Sequence, residues 1–137
     1  MSENQNIKIV QNAYAFFGRG DIPSLLATLT ADVEWTEPGE GLLPQAGVHR
    51  GPGGVKRFFE IVGETLEFSV FEPREFFAKD DRVIVLGRYQ AKVKATGRPL
   101  HAEWAMAFTF RAGKIAAFRE FTDTANAALA YGTLTAK

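Results

Sequence analysis

Gly113-Lys114-Ile115-Ala116-Ala117-Phe118-Arg119-Glu120-Phe121-Thr122-Asp123-Thr124 opens with a turn, continues as an apolar-rich strand and ends in a carboxylate. Strand side chains alternate between two faces, so Ile115, Ala117, Arg119, Phe121 and Asp123 are expected on one side. That side is a partly apolar row with a charge at its end. An Asp so placed either caps a following helix or works as an acid in an apolar cavity. The sequence alone leaves both readings open.

The preceding strand supplies a partner for this row. Arg111-Ala112-Gly113 reads as a hairpin turn, which pairs Phe110 with Ile115. Plain alternation then sets Met106 against Arg119, Trp104 against Phe121 and Ala102 against Asp123. Ala102, Trp104, Met106, Phe108 and Phe110 form a continuously apolar side, whereas His101, Glu103, Ala105, Ala107 and Thr109 are small or polar. The apolar side is read as the cavity side, and Asp123 with it. A register change of one residue would reverse that assignment.

Upstream, the period changes to that of helices. Ser2-Glu3-Asn4-Gln5 reads as a capping box, followed by Ile7, Val10, Tyr14 and Phe17 at helical spacing until Gly18 and Gly20. Asp21 caps a second short helix with Pro23 in its first turn. Val33, Trp35 and Glu37 then alternate with Asp32, Glu34 and Thr36, a strand whose inward face carries Glu37. Pro38 ends it, and Gly39 to Arg50 reads as a long loop. Gly51-Pro52 opens a third helix with Val55, Phe58, Phe59 and Val62 on one face, closed by Gly63.

From Leu66 onward strand follows strand, with turns at Asp80-Asp81 and at Thr96-Gly97-Arg98-Pro99. Pro73 marks a bulge or an edge in the first of them, and Thr124 to Tyr131 reads as a short terminal helix. Helices followed by a meander of strands give an α+β order. The expected architecture is a cone-shaped, curved antiparallel sheet with three helices packed on one face, enclosing a pocket.

The totals bound the function. A chain of 137 residues holds one core, so residues 1–137 are expected to form a single domain. Sixteen basic residues balance sixteen acidic ones, which gives nucleic acid no electrostatic hold. The bases of the second half alternate with apolar residues, as on a solvated sheet rim. With no cysteine there are no disulfides and no thiolate chemistry. His49 and His101 stand in no ligand-spaced motif, so no metal is expected. No apolar run long enough to span a membrane and no signal peptide is seen, and a cytoplasmic location is the default expectation.

Glu37 and Asp123 are the candidate acids. A carboxyl among Trp and Phe side chains is poorly solvated when charged, so its pKa rises towards the range useful for proton transfer. The alternative is that Asp123 caps the terminal helix and Glu37 pairs with Arg119. Trp35, Trp104, Met106, Arg119 and Phe121 are expected to line the pocket, with Tyr14 and Tyr89 as further binding residues that donate single hydrogen bonds. His49 suits a structural hydrogen bond, and His101 a surface or subunit contact. Gly51-Pro52-Gly53-Gly54 lacks the Lys-Ser/Thr of a phosphate loop and reads as a helix entry.

In this order the pieces resemble SnoaL-like, ketosteroid isomerase-related proteins of the nuclear transport factor 2-like superfamily. The matching segments are Ile9-Val10-Gln11 leading to Gly20-Asp21, Ala31-Asp32-Val33-Glu34-Trp35 and His49-Arg50-Gly51-Pro52. Thr96-Gly97-Arg98-Pro99, Gly113-Lys114-Ile115 and Phe121-Thr122-Asp123-Thr124 complete the set. The resemblance implies a cone with a deep pocket, a homodimer joined through the sheets, and no cofactor. Glu37-Pro38 resembles the Asp-Pro of steroid isomerases, whose Asp is the general base. Met106 and Ala13 stand where their two oxyanion donors would be, and Tyr14 is one residue off.

Two functional expectations follow. The first is a cofactor-independent acid/base enzyme acting on a small or medium apolar carbonyl or polyketide-like compound by isomerisation, cyclisation or dehydration. The second is a non-catalytic module that binds a small apolar ligand or dimerises. For assembly, the open sheet face carrying Ala105, Ala107, Thr109, Ala116 and Phe118 is expected to pair two copies, with Phe118 near the centre and His101 and Glu103 at the rim.

Overall fold

The computed structural model describes residues 2–135. Helix α1 (Glu3–Gly18) begins on Ser2, whose hydroxyl accepts from the Gln5 backbone N–H, while the Gln5 side chain accepts from the Ser2 backbone. Helix α2 (Ile22–Leu26) starts on Asp21, which accepts from the Ser24 N–H at 3.2 Å. Strand β1 (Leu29–Glu37) follows, longer at its start than the alternation suggested. The expected loop contains a short strand, β2 (Gly47–Arg50), before α3 (Gly51–Thr65). Gly63 does not stop α3, which runs two residues further.

Strands β3 (Leu66–Lys79), β4 (Arg82–Val93), β5 (Pro99–Arg111) and β6 (Lys114–Thr122) form the meander, and α4 (Thr124–Tyr131) closes the chain. The sheet order is β2-β1-β6-β5-β4-β3, curved and unclosed, with the helices on one face. The α+β class and the helix-covered sheet are as expected. The sheet is mixed rather than wholly antiparallel, because β1 runs parallel to β6. The helical segment between β1 and the meander returns the chain to the far edge, which leaves β6 to dock against β1 from the other side. Pro73 sits in edge strand β3, beside a register shift between Pro73 and Glu75.

The core lies between the helices and the concave face. On β5, Ala102, Trp104, Met106, Phe108 and Phe110 are all buried, as the alternation required. On β6 the alternation breaks. Phe110 pairs with Ile115, but Thr109 pairs with Ala117, so Ala116 is an extra residue with no partner. Such a bulge exchanges the two faces of everything beyond it. Met106 therefore faces Glu120, and Trp104 faces Thr122.

Three sequence expectations are corrected by that one residue. Arg119 and Phe121 lie on the outer face, opposite Ala107 and Ala105. Phe118 belongs to the interior, 3% exposed and stacked on Trp35 with ring centroids 3.8 Å apart. Asp123 lies past the end of β6, exposed, and accepts from the Asn126 N–H at 3.0 Å as the cap of α4.

Candidate functional site

Glu37 comes to the cavity at the end of β1 because β1 keeps its alternation: Val33, Trp35 and Glu37 are each 5% exposed or less. Parallel pairing sets Trp35 beside Phe118 and Thr36 beside Arg119. One further step along both strands puts Glu37 beside Glu120, at the spacing of neighbouring strands, about 4.8 Å. Glu120 is flanked on its other side by Met106. Two carboxyl groups and a thioether thus stand in a row across three strands.

The cavity around this row is apolar. Its wall includes Trp35, Phe58, Phe71, Phe108 and Phe118, with Leu43 and Gln45 brought in by the loop after β1 and Ala127 by α4. The cavity volume is about 90 Å³, enough for several waters at on the order of 10–15 Å³ each. Glu37 is buried, whereas Glu120 is half-buried as a residue; both line the cavity.

Burial and mutual repulsion govern the pair. Burial pushes the Glu37 carboxyl well above the ordinary 4.5; the charge of Glu120 and a hydrogen bond shared with it push the same way. Burial also raises Glu120, opposed by the hydrogen bond from Glu37. Both carboxyls are therefore easier to protonate than an exposed Glu, and Glu37, the deeper, is raised by the larger set of causes. Glu37 Oε2 is buried and no protein N–H or O–H donates to it. The Trp35 indole N–H pulls Glu37 slightly down, yet makes no hydrogen bond of normal geometry.

Tyr14 reaches the same chamber from α1. Its hydroxyl donates to Met106 Sδ at 3.1 Å, a weak acceptor, and burial with the charges of Glu120 and Glu37 raises its pKa. It stays a neutral donor at any working pH. Tyr89 also lines the cavity and is raised by burial and by Glu120. Behind Tyr14 the Trp104 ring stacks at 5.8 Å, and its buried indole N–H has no partner.

Of the residues named from the sequence, the structure brings together Glu37, Trp35, Met106, Tyr14 and Tyr89 around one cavity, with Trp104 packed behind. It does not bring in Asp123, Arg119 or Phe121. Arg119 sits over the Phe121 ring at 5.2 Å instead of pairing with Glu37. Glu120 is the member that sequence reasoning missed. Its signal was the run Ala116-Ala117 after Ile115, two small residues where a bulge fits without loss of a core side chain. His49 makes a structural contact, Nε2 to the Gln45 carbonyl at 2.7 Å. Among the described residues no group of three or more His, Cys, Asp or Glu side chains converges as metal ligands. No helix among them is long and apolar enough to cross a membrane.

The profile of the SnoaL-like domain matches residues 10–118, most of the chain. The chain belongs to the SnoaL-like domain family. Among solved structures, this SnoaL-like chain is similar to a nuclear transport factor 2-like protein from Burkholderia xenovorans: 40% identity, 96% of this chain and 98% of that one, TM-score 0.88. It is also similar to TerC, solved in co-crystals with polyporic acid, at 27% identity over 93% of this chain and 98% of that one, TM-score 0.81. An uncharacterised protein of Mycobacterium tuberculosis is 26% identical over 121 residues, 88% of this chain and 91% of that one.

Proposed function

We propose that this SnoaL-like protein is an acid/base enzyme acting on a small to medium apolar carbonyl compound, with Glu37 and Glu120 as its proton-transferring pair. The observation that carries the reading is two carboxyl groups, Glu37 and Glu120, side by side in the wall of an aromatic chamber. A pair held at one proton contains both an acid and a base, which is what enolisation requires. That TerC, of similar fold, was co-crystallised with polyporic acid supports an organic molecule as the ligand.

In this reading the ionised Glu120 removes a proton from the carbon next to the carbonyl. Electrons of the broken C–H bond form the C=C bond of the enol, and Glu37 gives its proton to the carbonyl oxygen. Tyr14 exchanges its weak thioether acceptor for that oxygen as negative charge builds on it. Return of a proton to a different carbon gives isomerisation; attack of the enol carbon on a second carbonyl of the same molecule, whose C=O π electrons pass to its oxygen and take the proton held by Glu120, gives cyclisation.

Two measurements test this. Incubation with a panel of apolar cyclic ketones in D2O should show protein-dependent deuterium uptake next to the carbonyl, reduced by about 10²-fold or more in Glu37→Gln. Carbon-detected NMR titration should show the Glu37 and Glu120 carboxyls ionising above the usual range. If both ionise as ordinary exposed carboxylates, the enzyme reading is overturned and a simple binding module is left.

A further inference from the structure

The cavity wall contains two carboxyl groups but no Lys, Arg or His. A single proton between them would leave net negative charge, and among the described residues no cation lines the cavity to balance it. Arg119, next to Glu120 in sequence, is committed to the opposite face, over Phe121. Glu37 Oε2 is buried and, among the described residues, accepts no hydrogen bond, and neither carboxyl of the pair has a cation beside it. Buried charge without a partner is strongly unfavourable, so a positive ligand would relieve it and a negative one would worsen it.

The walls favour the same sign. Trp35 and Phe118 stack beside the pair, and Tyr14 and Phe108 stand in edge contact at 5.9 Å. Aromatic faces attract cations, most of all where water is excluded. A lining this rich in aromatic rings offers flat faces on which a ring can stack. We propose that the cavity selects its ligand by charge, taking an aromatic ring that bears a protonated amine seated on Glu37 and Glu120, and refusing the matching carboxylate. The inference goes beyond the carbonyl chemistry above: it needs the same carboxyl pair, but no proton transfer to carbon.

Calorimetric titration of the full chain near neutral pH with benzylamine, benzyl alcohol and benzoate holds the ring constant and varies the charge. Benzylamine should bind about tenfold or more tighter than benzyl alcohol, the margin of a charge-assisted hydrogen bond. Benzoate should give no measurable binding. In the double variant Glu37→Gln, Glu120→Gln the amine should lose that margin while the alcohol keeps its affinity. Benzoate binding as tightly as benzylamine, or an amine margin that survives in the double variant, overturns the proposal. Should the variant not fold, the wild-type Trp35 indole NMR signal decides. Benzylamine must shift it; an amine that perturbs only outer-face residues such as Phe121 refutes the site. Amine preference without ketone exchange would remove the enzyme reading and leave this one, and exchange without amine preference would do the reverse.

Discussion

At the scale of single residues, Glu37 makes folding depend on pH in an unusual direction. The folded chain binds protons at Glu37 and Glu120 more tightly than the ordinary 4.5. Their contribution to stability is therefore full below about pH 4.5 and is lost as the pH rises through the raised values, because the unfolded chain gives up the protons first. Glu37→Gln has no such proton to lose. It should melt higher than the wild type at about pH 8, with the gap narrowing towards pH 5. Asp21, Asp32 and Glu72, which are held below the usual range by hydrogen bonds to Ser24, Arg111 and Arg74, are common to both proteins and cancel in the comparison. Thermal melts across that window test it; a gap independent of pH would mean that the carboxyls are not a buried pair. Gly87 is a second residue with a single physical demand on it. It pairs with Trp104, and an added Cβ would run into the Trp104 ring and come 2.6 Å from the Glu72 carbonyl oxygen. Gly87→Ala should cost about 1–3 kcal/mol by overpacking, read as a lower urea midpoint.

At the scale of elements, the two acids at the ends of β1 and β6 have different jobs for a local reason. Asp123 follows the last strand residue and caps α4, so its carboxylate is turned to the helix N-terminus and to solvent. Asp123→Ala should cost about 1 kcal/mol in urea unfolding, the usual value of a lost N-cap. The NMR ionisation of Glu37 and Glu120 should stay as in the wild type. A shifted ionisation of the pair would put Asp123 back in contact with the cavity. Some element boundaries were legible, since the capping box, the Asp21 cap, the turns and the limits of α4 each have a local chemical cause in adjacent residues; the start of β1, the whole of β2 and the end of α3 were not. Glu37 was legible, because β1 keeps its period from Val33 to the end. Glu120 was not, since its facing depends on one extra residue, Ala116, and a bulge is settled by pairing across strands rather than by any local preference. The parallel contact of β1 with β6 was hidden for the same reason: it joins segments far apart in the chain.

At the scale of the whole molecule, the helices cover only the concave side of the sheet, and the bulge decides what the other side offers. Glu75, Leu86, Ala105 and Phe121 form one row across β3 to β6, and Phe77, Ile84, Ala107 and Arg119 form the next. Phe121 is 52% exposed, Phe77 53% and Val48 48%. Charges frame this apolar centre, with Glu72, Arg74 and Arg88 at one end and Glu34 paired with Arg50 at the other. An apolar sheet face of this kind is poorly suited to water, and a two-fold axis would bury it against its own copy. We expect a homodimer built on this face, with Phe121 near the axis in the place that uninterrupted alternation gave to Phe118. Sedimentation equilibrium at micromolar concentration should give about twice the 15.1 kDa chain mass. Phe121→Asp should then return the mass to that of one chain while leaving the fold intact, because its ring packs on nothing in the core. Phe118→Asp is the contrasting variant. It would set a charge beneath the stacked Trp35 ring and unfold the chain rather than divide a dimer. A wild-type mass of one chain, or a Phe121→Asp variant that still sediments as two, would show that the open face is not the contact.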